Sequence, residues 1–198
     1  MSDIKLISTW PGPSRDTETV FKTPSRIAYA ADNSRIAHDR WGYQVEPGMI
    51  TYSWTKLLLD QGARITKYDD SALETASKTG ILQLPEGKTA VDVVADYLSE
   101  VYGHIMKTIT KQITEEALKI TPIEFWFTVP AIWSDQARSA TMAAAKRAGF
   151  GAGLFKRIND KILLISEPEA AAITALKKYT SGGMGGSVKV GMISLPLS

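Results

Sequence analysis

Two runs of β-branched and aromatic residues, IEFWFTV at 123–129 and ILLI at 162–165, constrain this chain more than any other feature. Each has the composition of a strand, and helix-start chemistry follows each within a few positions. Pro130 ends the first run, because proline has no N–H to give a sheet ladder. Ser134 is a good N-cap for the next helix, whose stripe of Ala137, Ala140, Thr141, Ala144 and Ala148 permits close packing until Gly149 stops it. After the second run, Pro168 falls in the first turn of a helix predicted to reach Lys177 and Lys178, with the positive charge at its C-terminal end. Strand, helix, strand, helix in this order implies α/β layering.

The clearest helix starts at Thr89, which has capping-box spacing to Asp92. Val91, Val94, Leu98, Val101, Tyr102, Ile105 and Ile109 then follow at three- and four-residue steps, so one face is buried. Upstream, short strands are expected at 4–8 and 26–30. An irregular stretch with an edge strand is expected over 31–50, where Gly42, Pro47 and Gly48 interrupt the apolar pieces, and a helical turn or two at 54–59. After Tyr179, the run TSGGMGGS reads as a loop, and Val188 opens a last strand. With 198 residues, 44% of them hydrophobic, the chain can bury a core as one domain or as two small lobes.

Charge and residue usage narrow the function. The 23 basic and 21 acidic residues are scattered, which gives no electrostatic footprint for nucleic acid. There is no cysteine, so disulfides, thiolate nucleophiles and cysteine zinc sites are excluded. The first residues contain no apolar run long enough for a leader or a membrane span, and the expectation is a soluble, cytoplasmic protein.

Several look-alikes fail on spacing. Gly87, Lys88 and Thr89 resemble the end of a phosphate-binding P-loop, but the required upstream glycine position, 82, is Leu. The glycines at 182–186 lack a following Lys and Ser or Thr, and Gly151 and Gly153 are followed by Lys156 where a dinucleotide fingerprint needs glycine. His38 and His104 are too far apart for a metal-ligand motif, and the adjacent Asp69 and Asp70 read as solvated acids.

The runs FTVPAIWSDQARSAT at 127–141 and ISEPEAAAI at 165–173 resemble the strand–helix–strand–helix segment of the seventy-kilodalton heat-shock (DnaK-type) ATPase domain. KTPSRIAY at 22–29 is similar to that family's Thr-Pro-Ser strand, and WTKLLLD at 54–60 to its lysine-bearing segment. WGYQV at 41–45 and the Ser-Glu-Pro-Glu wording point to a divergent, actin-like branch.

The resemblance implies an α/β lobe of the ribonuclease H and actin-like type, a mixed sheet flanked by helices with a small insertion subdomain, truncated at both ends. The corresponding divisions are first strands at 1–30, the insertion at 31–92, the main α/β part at 93–190 and a tail at 191–198. It implies catalytic roles for Lys56, which would help place an attacking water, and for Glu167, which would organise magnesium through its waters. It also implies that Pro130 and Arg138 respond allosterically to nucleotide. ATP and Mg are the family's cofactors, yet neither the Asp-x-Gly-Thr-Thr signature nor the second glycine-rich phosphate loop has a counterpart here. Weak or absent ATP hydrolysis is therefore expected, together with chaperone or co-chaperone partners and self-association through an exposed sheet edge. A different class stays open beside it: a non-enzymatic protein-binding module or structural remnant. In both readings the bland roles are Lys56 as a solvent-facing lysine and Glu167 as a polar cap for the helix that follows.

Overall fold

The computed structural model describes residues 6–12, 21–60, 83–151, 160–179 and 191–193. It is a mixed α/β protein. Among the described residues the strands form two sheets of uniform sense, in place of the single mixed sheet expected. The first is antiparallel, in the order β2-β1-β3, from β1 (Arg26–Ala28), β2 (Arg40–Trp41) and β3 (Tyr52–Ser53). The second is parallel, in the order β5-β4-β6, from β4 (Glu124–Val129), β5 (Lys161–Ser166) and β6 (Gly191–Ile193). Among the described residues four α-helices accompany them: α1 (Ala90–Thr110), α2 (Glu115–Ile120), α3 (Asp135–Arg147) and α4 (Glu167–Tyr179).

Helix α1 begins where its capping box places it. The Thr89 hydroxyl accepts the Asp92 N–H, and the Asp92 carboxylate accepts the Thr89 N–H at 2.7 Å. The helix joins the two sheets. Val93 packs with Ile27, Tyr29 and Tyr52 of the antiparallel sheet, while Leu98 and Val101 pack against Phe125, Phe127 and Val129 of β4. Each such side chain, fully buried, contributes about 1.5–3 kcal/mol.

The alanine stripe of α3 completes this core, with Ala137, Ala144 and Ala145 fully buried. Its C-terminus closes on Gly149, at φ 102°, where the Phe150 N–H donates to Ala145 O and the Gly149 N–H to Lys146 O, both at 3.1 Å. That left-handed turn drives the Phe150 ring among Tyr102, Phe125 and Phe127.

Some local expectations shift. Strand β1 stops at Ala28, short of the predicted residue 30, because side chains take the backbone groups beyond it. The Ala30 N–H donates to Asp39 Oδ1 at 2.8 Å, and Asn33 Nδ2 donates to Tyr29 O and Ile50 O. Of the strand expected at 4–8, residues 6–8 have no strand structure, and the remainder lies outside the described residues. Helix α2 was not anticipated, because six residues show less than two turns of periodicity. Its signal is chemical: a Thr114 cap, Glu115 and Glu116 in the first turn, and Lys119 in the last. The terminal strand expected from Val188 is present as β6, pairing in parallel with β4. Among the described residues no helix is long and apolar enough to cross a membrane.

Candidate functional site

Parallel sheets place functional groups just beyond the carboxyl ends of their strands. Here the register pairs Val129 with Ser166, so Pro130 and Glu167 leave adjacent strands side by side. Helix α4 follows β5 without a loop. Ser166 acts as its cap: Ser166 N–H and Oγ–H donate to Glu169 Oε2 at 3.0 and 2.7 Å, and the Glu169 N–H donates back to Ser166 Oγ. These bonds hold the Glu169 carboxyl below the usual carboxylate range, with a smaller contribution from the positive charge of Arg138 on α3. The capping role therefore belongs to Ser166 and Glu169, and Glu167 projects elsewhere.

Glu167 meets Lys56. The Lys56 Nζ donates to Glu167 Oε1 at 3.2 Å across 111 residues of sequence. Lys56 is not the solvent-facing lysine of the bland reading: its side chain is 6% exposed, against 42% for Glu167. It sits in a 3-10 segment, Thr55–Leu59, preceded by Trp54 at φ 62°. A bulky non-glycine residue in that left-handed region stores strain, a feature that clusters at functional sites. Burial pulls the Lys56 pKa down, and the Glu167 carboxylate pushes it partly back up. The ammonium also lies 5.5 Å from the centre of the Trp133 ring.

The other residues singled out from sequence sort by position. Pro130 follows the end of β4, and its carbonyl accepts the Trp133 N–H at 3.2 Å, closing the turn into α3. Arg138 is half-buried in the first turns of α3, its charge felt by Glu169 at the start of α4. Thus Lys56 and Glu167 are in contact, with Pro130 and Arg138 on the elements around them. Sequence reasoning passed over Trp133 and Asp60. Both stood inside quoted runs, and their signal was a buried-type aromatic and an acid flanking otherwise apolar segments.

The rejected look-alikes are occupied structurally. Thr89 caps α1, and Lys88 pairs with Asp96 at 2.7 Å over the Tyr29 ring. His104 stacks on Trp10 and reaches Thr9 O, whereas His38 is exposed. Asp69, Asp70, Gly153, Lys156 and the glycines at 182–186 lie outside the described residues.

The residues present fit a water-mediated magnesium ion in part. Glu167 is exposed enough to offer carboxylate oxygen to a hydrated cation, which is how magnesium is commonly held. Among the described residues no cluster of three His, Cys, Asp or Glu side chains that could hold a metal ion is found. Among the described residues the Thr128 hydroxyl, two positions before Pro130, is buried without a hydrogen-bond partner. Comparison of the chain with protein-family models and with curated proteins finds no match.

Proposed function

We propose that this chain is a lobe of the heat-shock-70 and actin-like ATPase type, and that Lys56 and Glu167 are the working pair of a reduced magnesium–nucleotide site. One observation carries this reading: the two residues whose roles the resemblance implied, 111 positions apart, meet at 3.2 Å at the carboxyl end of a parallel sheet. Lys56 would supply positive charge toward a phosphate or an attacking water, and Glu167 would orient the waters of magnesium. The ion's contribution when bound is charge neutralisation on the phosphates. Trp133 and the surrounding core keep bulk water from the Lys56 ammonium, which strengthens its field.

Backbone amide donors carry the dominant electrostatic stabilisation in phosphoryl-transfer sites, and the Lys56–Glu167 pair supplies none. Binding through this pair alone is therefore weak, and hydrolysis through it slow or undetectable. Calorimetric titration of the folded chain with ATP and magnesium should give saturable heat with Kd on the order of 1 mM, corresponding to about 4 kcal/mol. The heat should require magnesium and vanish in Glu167→Ala. Heat that survives this substitution, or its absence from a wild-type chain shown to be folded by circular dichroism, would refute the reading. The second reading, a surface for a chaperone or co-chaperone, draws on the exposed Ile132, Ile173 and Leu176.

A further inference from the structure

Lys56 does not hold its position unaided. It belongs to a short 3-10 segment whose internal hydrogen bonding is weaker than that of an α-helix, entered through a strained Trp54. A buried ammonium at 5% residue exposure gains from leaving for water, so something must keep the segment closed. The segment's last flanking residue is Asp60, itself 9% exposed, and its Oδ1 accepts the Ser134 Oγ–H at 3.0 Å. Ser134 is held in turn, because its oxygen accepts the Ala137 N–H as the cap of α3. Its neighbour Trp133 is the ring beside the Lys56 ammonium.

Two consecutive residues in the turn between β4 and α3 thus grip the Lys56 segment at two points. Trp133 faces the amine, and Ser134 ties down the C-terminal end through Asp60. We infer that Asp60 is a positioning residue, which through Ser134 locks the 3-10 segment against α3 and holds Lys56 within reach of Glu167. Its importance for function rests on the proposed reading of Lys56 and Glu167, but the geometry of the lock does not. Asp60 acts on the site through another residue and need not touch a ligand.

The test reads Lys56 directly, without nucleotide. Wild type, Asp60→Ala, Asp60→Asn and Ser134→Gly are labelled with an amine-acylating reagent, and the rates at Lys56 and at Lys88 are followed by peptide mass spectrometry. Lys88, ion-paired to Asp96 on another part of the molecule, reports general loosening. Losing a hydrogen bond to a charged group should raise the Lys56 labelling rate about tenfold in Asp60→Ala, with Lys88 unchanged. Asp60→Asn keeps the acceptor oxygen and should stay close to wild type. Because Asn also preserves the shape of Asp, the loss of the bond is separated from packing by removing the Ser134 hydroxyl instead.

Ser134 is exposed and glycine is an acceptable cap, so Ser134→Gly should fold and release Lys56 even if Asp60→Ala does not fold. Unchanged Lys56 protection in folded Ser134→Gly, or parallel acceleration at Lys88, would overturn the assignment. The nucleotide titration separates the two ideas. Release of Lys56 without magnesium-dependent ATP heat in wild type upholds the lock and refutes the nucleotide reading, whereas the reverse pattern refutes the lock alone.

Discussion

Removing Glu167 and removing Lys56 should have opposite effects on stability. At 3.2 Å and an effective dielectric near 20, the pair attracts with about 5 kcal/mol of gross Coulomb energy. Because Glu167 is 42% exposed, solvent screens much of this, and a net loss of about 2 kcal/mol is expected for Glu167→Ala. The loss arises because the buried Lys56 ammonium loses the attraction of the Glu167 carboxylate. In Lys56→Met the buried charge is replaced by an apolar chain of similar length, and Glu167 is free to hydrate. The expected change is between zero and about 2 kcal/mol of added stability.

The double variant should match Lys56→Met, since the penalty in Glu167→Ala exists only while the ammonium is present. Urea melts followed by circular dichroism resolve these differences. With an m-value of about 2 kcal/mol/M, Glu167→Ala shifts the midpoint down by about 1 M.

The pH dependence has a defined sign. Burial lowers the folded-state pKa of Lys56 below its ordinary 10.5, so the unfolded chain binds more protons between the two values, and stability rises with pH across that window. Lys56→Met lacks this rise. A Lys56→Met variant less stable than Glu167→Ala would refute the reasoning, because Lys56 would then be an ordinary stabilising partner. A buried charge that lowers stability is what the proposed role of Lys56 requires.

Two further outcomes test the core. Phe150→Ala removes a ring that is 1% exposed and within 5.0 Å of three aromatic neighbours, so it should cost about 4 kcal/mol in thermal or urea unfolding; a loss under about 1 kcal/mol would contradict the packing described. Burial pushes the Tyr97 hydroxyl from 10.0 up to about 12 against a small opposing effect of Ser25, so about 3 kcal/mol of stability present below pH 10.0 should be lost as pH rises through about 12. Tyr97→Phe should flatten that alkaline loss, and tyrosinate absorbance follows the titration itself.

Much of the parallel layer was legible because its signals are local. Pro130, Ser134, Gly149 and Thr89 each act on backbone within a few residues, and the observed element ends fall at or next to them. Two things were less legible. The end of β1 depends on Asp39 and Asn33 capturing backbone groups near residue 30, and nothing in the strand's own composition announces that. Helix α2 is too short for periodicity to declare it.

The candidate site divides in the same way. Lys56, Glu167, Pro130 and Arg138 were picked out through wording that resembles a known family, with no physical sign in the sequence that any two of them touch. Trp133 and Asp60 carried no such wording, and their part emerged only from geometry.

The sequence by itself determined the elements and their faces: β-branched and aromatic content made β4, small side chains gave α3 its close approach, and capping chemistry set the helix starts. These are decisions among neighbours in the chain, taken over distances of a few residues. Only the tertiary structure decided that Lys56 is buried, that Glu167 answers it while Glu169 does the capping, and that Asp60 is tied to Ser134 across 74 residues. Burial and ion pairing depend on what the folded chain brings alongside a side chain, and in one dimension a lysine destined for the interior looks the same as one destined for water.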